Sequence, residues 1–168
     1  SPPVLSRDGV SLTVANTRRN LPEALSPQIK STNFLNNILA KRESIAAGTF
    51  DSLFLNWKDE LTECTVSNLF FISGKTLHTP ALDCGILDGI TRTIVMTLAQ
   101  EEGVPVREGH YHLADLQRAE ECFLTNTSME IIPVNRVDSF AIGDGRPGSL
   151  TRRLQTRFAD SRTRFLEP

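Results

Sequence analysis

LDGITRTIVMTLAQEEGVPV, Leu87 to Val106, joins a helix start, a helix body and a following strand in one short stretch. Ile90, Ile94, Val95, Leu98 and Ala99 recur at helical spacing, so a helix should begin near Gly89 and end before Gly103, with Val104-Pro105-Val106 as a strand. The first backbone N–H groups of such a helix have no intrahelical partner. Together with the Thr91 hydroxyl they point at one spot in the positive half of the helix dipole, which suits a phosphate. A threonine near a helix start also serves simply as a cap, and the stretch alone leaves both readings open.

Upstream of this unit, Asp51 to Asn56, Leu61 to Glu63 and Leu69 to Ile72 read as short strands, with turns at Lys58-Asp59 and Ser73-Gly74. Before them, Phe34, Leu35, Ile38, Leu39, Ile45 and Ala46 make one apolar helical face between a Ser31 or Thr32 cap and Gly48. Pro22 and Pro27 forbid a helix in the loop ahead of it, and Val10 to Val14 is a first strand. Downstream, Phe123-Leu124-Thr125 and Ile131-Ile132-Pro133-Val134 read as strands around the polar turn Asn126-Thr127-Ser128. Leu150 to about Phe158 reads as a last, Arg-rich helix with a solvated tail behind it. The predicted architecture is a single mixed α/β domain with several non-parallel strands.

Composition narrows the functional classes. The chain has 168 residues, 39% of them hydrophobic, and 18 Lys+Arg against 20 Asp+Glu give a formal charge of −2. That is the profile of one folded domain without the basic excess that nucleic acid or anionic lipid would call for. No apolar run is long enough to span a bilayer, and the N-terminus shows no secretory pattern. Cys64, Cys84 and Cys122 are an odd count at wide spacing, which argues against a disulfide framework and for a reducing, cytoplasmic setting. The first residue is Ser, not Met, as expected after processing, after tag removal, or inside a longer polypeptide.

Some local patterns carry less than they suggest. Gly143-Asp144-Gly145-Arg146-Pro147-Gly148 matches GxGxxG, but no second strand with an acidic residue follows it, so it reads as a glycine turn before the last helix. His110 and His112 have a spacing that could chelate a metal from a strand, yet no cysteine or second carboxylate cluster is near enough to complete a set, so they read as an exposed loop pair and no metal site is expected. Asn126-Thr127-Ser128 is also a glycosylation pattern, of little weight in a chain without secretory features. Taken singly, Lys30 and Glu63 would pass as solvated surface residues.

Four stretches in order resemble the class IV aminotransferases: Arg18 to Lys41 (RRNLPEALSPQIKSTNFLNNILAK), Leu61 to Phe71 (LTECTVSNLFF), Thr79 to Arg92 (TPALDCGILDGITR) and Phe123 to Val134 (FLTNTSMEIIPV). That group holds branched-chain and D-amino acid aminotransferases and aminodeoxychorismate lyase, all pyridoxal-phosphate enzymes of fold type IV. The resemblance spans nearly the whole chain and implies a D-amino acid aminotransferase-like fold, with this chain as its C-terminal α/β pseudo-barrel domain.

What the resemblance implies for individual residues follows its words. Lys30, in the IKS word, would bind the aldehyde of pyridoxal 5'-phosphate covalently and, once displaced by substrate, act as the base that moves the Cα proton, a role that calls for a depressed pKa. Glu63, in the TE word, would pair with the pyridine nitrogen and keep it protonated, so that the ring accepts the electrons of the broken Cα–H bond. Gly89, Ile90, Thr91 and Thr127 would hold the cofactor phosphate, and Leu87 would pack on its ring. Asn126 and Thr127 would add cofactor contacts, and the turn through Thr127 and Ser128 would offer donors to a substrate α-carboxylate.

The implied partners are an amino acid, a 2-oxo acid and a second subunit in a homodimer. The RRNxPEALxPxIKS stretch and Glu130 look more like the amino acid aminotransferases than the lyase. Aminodeoxychorismate lyase stays the enzymatic alternative, and a folded but non-catalytic domain the other. Only 29 residues precede Lys30. Family members carry an N-terminal domain ahead of these words that supplies a phosphate-binding arginine, so the chain is expected to be the C-terminal, cofactor-bearing half of a longer enzyme.

Overall fold

The computed structural model describes residues 3–166. Nine strands form one sheet: β1 (Val10–Val14), β2 (Asp51–Leu55), β3 (Leu61–Cys64), β4 (Asn68–Ser73), β5 (Thr76–Pro80), β6 (Val106–Gly109), β7 (Glu121–Asn126), β8 (Glu130–Val137) and β9 (Phe140–Ala141). The helices are α1 (Pro3–Asp8), α2 (Leu35–Ala47), α3 (Ile90–Glu101), α4 (Leu113–Gln117), α5 (Ser149–Asp160) and α6 (Arg162–Leu166), with a 3-10 turn at Leu82–Cys84.

Six strands run β3-β2-β1-β8-β7-β4, and pairing of Glu63 with Asn68 joins β4 back to β3, which closes the ring. Strand β1 is parallel to β2 and to β8, while the other ring pairings are antiparallel. The far end of β4 pairs with β5, which carries the parallel β6 outside the ring. The mixed α/β pseudo-barrel expected from sequence is therefore the observed fold.

The core follows from the period of two in a strand. One apolar cluster takes Leu12, Leu53, Leu61, Leu69, Leu124 and Ile132, one from each ring strand, and fills the barrel. The alternate residues Phe70, Ile72, Phe123 and Ile131 face outward, where Val95 and Leu98 of α3 and Leu154 of α5 cover them. With both faces covered, Leu69 to Ile72 reads as an unbroken apolar run. The Phe70 and Phe123 rings stack at 5.1 Å.

Several elements differ from the sequence expectation. Helix α2 starts at Leu35 rather than at Ser31 or Thr32, without a side-chain cap, and ends as expected at Gly48, whose φ of 67° is left-handed. Its apolar face looks outward: Leu35, Ile38 and Ile45 are 65%, 53% and 68% exposed, while Asn37, Ala40 and Ser44 are buried. Small and polar residues face inward because the barrel wall offers hydrogen bonds at close range. Ser52 Oγ donates to Ala40 O at 2.6 Å, and Asn37 Nδ2 donates to Thr65 O at 2.7 Å.

Strand β6 begins at Val106, not Val104, since Pro105 has no N–H and contributes only its carbonyl to Leu77 N. The short α1, α4 and β5 lack a sequence period long enough to read. In place of a solvated tail, α6 packs Phe165 against the outer cluster.

Candidate active site

One cleft of about 680 Å³ lies where the irregular segment before α2, the β3–β4 turn, the approach to α3 and the β7–β8 hairpin meet. Lys30, Glu63, Leu87, Gly89, Ile90, Thr91, Asn126, Thr127 and Ser128 all line it. Residues from the first fifth of the chain to its last quarter are thus brought to one place. Strands and a helix start position most of them, whereas the loop ahead of α2 presents Lys30, exposed to solvent.

Glu63 is a buried acid of the cleft, 5% exposed on β3. Arg19 Nη2 donates to its Oε1 at 2.5 Å, and Leu87 N and Asn68 Nδ2 each donate to Oε2 at 3.1 Å. Burial pushes the Glu63 carboxyl up to about 7, against the lowering effects of Arg19, the Leu87 N–H, Arg92 and Lys30. Arg19 is itself fixed, donating Nε to Gly85 O at 3.0 Å and Nη1 to Asn37 Oδ1 at 3.3 Å, with its guanidinium 5.4 Å from the Phe54 ring centroid. Arg19 and Asn68 are functional neighbours that sequence reading by itself passed over. The buried Glu63 needs both, but charge complementarity between residues 44 apart leaves no local signal.

Helix α3 begins at Gly89 in extended conformation with no side-chain cap, so its first N–H groups face the cleft unpaired by any cap. A Cβ on Gly89 would collide with Asn68 Oδ1, which shows how closely the strand approaches the helix start. Thr91 is buried at this end, and the buried Thr125 Oγ1, also lining the cleft, has no hydrogen-bond partner among the described residues. An uncapped helix start, an orphaned hydroxyl and a buried carboxylate are the set of groups that a phosphorylated, nitrogen-containing ring requires, so the residues fit pyridoxal phosphate.

The hairpin turn is more committed than its sequence implied. Asn126 Oδ1 accepts from Ser128 N at 3.0 Å and Met129 N at 2.7 Å, while its Nδ2 donates to Ser67 Oγ at 3.0 Å. The Ser128 backbone donor is therefore engaged within the turn, and Thr127 and Ser128 both line the cleft. By contrast, the glycine turn at Gly143–Gly148 leads into a helix start already occupied: Glu121 accepts from Leu150 N, Thr151 N and Thr151 Oγ1.

A barrel domain with a lysine, a buried carboxylate and an open helix N-terminus around one cleft defines the class of protein. The chain belongs to the class IV aminotransferases: the family model described as amino-transferase class IV matches residues 1–137. D-alanine aminotransferase of Listeria monocytogenes is 38% identical over 81% of this chain and 47% of the relative. Aminodeoxychorismate lyase of Bacillus subtilis is 36% identical over 90% of this chain and 50% of the relative. The crystal structure of Escherichia coli branched-chain amino acid aminotransferase superposes with a TM-score of 0.91 at 31% identity, covering 94% of this chain and 52% of that one. The chain thus spans about half the length of the relatives it matches.

Proposed function

We propose that the chain is the C-terminal, cofactor-bearing half of a pyridoxal-phosphate-dependent aminotransferase that moves an amino group between an amino acid, of branched-chain or D-amino acid type, and a 2-oxo acid. The observation that carries the reading is the meeting of Lys30, Glu63, Thr91 and Thr127 around one cleft at the open start of α3. A further branched-chain amino acid aminotransferase, 29% identical with a TM-score of 0.91, was crystallised with N-(5'-phosphopyridoxyl)-L-glutamate, a cofactor–amino acid adduct.

When bound, pyridoxal phosphate supplies an electron sink for the bond broken at the substrate Cα. Lys30 would hold the cofactor and, once displaced by the substrate amine, would act as the base that moves the proton between the substrate Cα and the cofactor carbon. Glu63 would keep a proton on the ring nitrogen, and Arg19 and Asn68 hold Glu63 in place for that role. Gly89, Ile90 and Thr91 at the α3 start, with Thr127, would hold the phosphate, Leu87 would pack on the ring, Asn126 would add a cofactor contact, and the turn through Thr127 and Ser128 would offer donors to the substrate carboxylate.

Two further parts belong to the same reading. The outward apolar face of α2, with Ile29, Val66 and Ile90 exposed beside the cleft, is covered in the intact enzyme by its N-terminal half and a second subunit of a homodimer. The three cysteines are free and buried, which suits the reducing cytoplasm.

Absorbance spectra with pyridoxal phosphate, before and after borohydride, test the reading on this chain and on Lys30→Ala. A borohydride-stable adduct on Lys30 supports it, and an amino-acid-dependent spectral change then supports transfer. Release of pyruvate from aminodeoxychorismate instead would favour the lyase, as the similarity to the B. subtilis enzyme allows. Absence of any Lys30-dependent adduct would make the chain a non-catalytic domain.

A further inference from the structure

Three ligand-type side chains from three separate turns converge outside the cofactor cleft. Glu60 lies between β2 and β3, Cys84 ends the 3-10 turn and His110 follows β6, and none of them lines the cleft. One ligand atom from each falls within 4.8 Å of the other two. His110 Nδ1 is 3.1 Å from Glu60 Oε1 and 3.5 Å from Cys84 Sγ. Zinc bonds of about 2.0–2.1 Å to nitrogen and oxygen and about 2.3 Å to sulfur, in a tetrahedron, set nitrogen–oxygen and nitrogen–sulfur edges of about 3.3 and about 3.6 Å. The two distances in the fold are close to those edges.

The surroundings orient the three groups as a metal site needs. Asn56 Nδ2 donates to Glu60 Oε2 at 2.7 Å and to Cys84 O at 3.1 Å, tying two of the turns together and leaving Oε1 for the cluster. Asp83 Oδ1 lies 3.4 Å from His110 Nε2. A carboxylate on the far ring nitrogen places the proton there and frees Nδ1 as a ligand, the usual arrangement around metal-binding histidine. Glu60 and Cys84 are buried, whereas the His110 side chain is 45% exposed, so a cation has an approach from solvent beside the ring. Linear spacing holds no hint of this set because its members stand 50 and 26 positions from His110. His112, the residue paired with His110 by spacing, instead turns its Nδ1 to Asp59 O.

We propose that Glu60 Oε1, Cys84 Sγ and His110 Nδ1 bind one divalent transition-metal ion of the zinc class, with water in the fourth position. Thiolate, imidazole and carboxylate together favour zinc over magnesium or calcium, which prefer oxygen alone. The ion clips the β2–β3 turn and the end of β6 to the turn that leads into Leu87 and Gly89, bracing the loop that forms one wall of the cofactor cleft.

The probes are Zn²⁺, in competition with a chromogenic chelator, and Co²⁺, read by absorbance, each added to the full chain without cofactor. The expected result is uptake of one equivalent, with a thiolate-to-cobalt charge-transfer band and the d–d pattern of a tetrahedral site. Cys84→Ser abolishes the band. His110→Gln, at a half-exposed position that leaves the core untouched, weakens Zn²⁺ binding by about 100-fold, and Asp83→Asn by about tenfold. His112→Gln binds as the parent does. Absence of the charge-transfer band in the parent chain, or Zn²⁺ binding undiminished in His110→Gln, overturns the proposal.

Discussion

Arg19 is the residue on which burial of Glu63 depends. The two side chains are each 7% exposed and meet at 2.5 Å, so removing the guanidinium leaves an uncompensated carboxylate inside the barrel wall. Arg19→Met is expected to destabilise the chain by about 3–5 kcal/mol at pH values above about 7, where Glu63 would otherwise be ionised, measured by denaturant unfolding, and by less in acid, where Glu63 is neutral. Glu63 itself has a folded pKa raised to about 7 from an ordinary value of 4.5, so between those values the folded state holds a proton that the unfolded state releases. Its contribution to stability is therefore full below about pH 4.5 and is lost as pH rises through about 7. Relative to Glu63→Gln, the parent chain should lose thermal stability steadily across that window. A difference in midpoint between the two chains that does not change with pH would refute the assignment.

At the scale of elements, the start of α3 and the inward face of α2 are set by close approach. Gly89→Ala drives a Cβ into Asn68 Oδ1, and Asn68 is held by Glu63 and Leu87 O, so it has little room to give. The substitution should cost about 1–3 kcal/mol by unfolding and weaken pyridoxal phosphate binding in a spectroscopic titration. On α2, Ala40 is fully buried against Ala15 and Phe54. Ala40→Leu should therefore cost about 1–3 kcal/mol by overpacking, although it raises the apolar content of a helix that already looks amphipathic from the other side.

For the whole molecule, the unpartnered apolar surface is the dominant feature. Leu35, Ile38, Leu39 and Ile45 on α2 lie exposed in a chain that is otherwise an ordinary charged-surface domain. Concentration-dependent association in sedimentation velocity is the expected outcome, and Leu35→Asp with Ile38→Lys should shift the chain toward monomer. Because both positions are exposed, the pair should change the stability of the isolated fold by no more than about 0.5 kcal/mol each. Unchanged association in the double variant would place the contact elsewhere.

Much of this protein was legible in the linear order of its residues. The helix after Gly89, the buried strand Leu69 to Ile72 and the glycine end of α2 each follow from local period and local backbone preference, which neighbours in sequence decide. The position of the α3 start was readable for the same reason, but that no side chain caps it was not, since Thr91 could equally have served as a cap. Other features arise only when distant strands close into a ring. Which face of α2 turns inward depends on hydrogen bonds with Ser52 and Thr65, not on hydrophobic spacing. The buried Arg19–Glu63 pair, the contact of Asn68 with Gly89 and the Glu60–Cys84–His110 cluster all join residues remote in the chain. Periodicity reports what a segment prefers, but the neighbours that a buried charge or a metal-ligand atom requires are supplied by tertiary closure of the barrel.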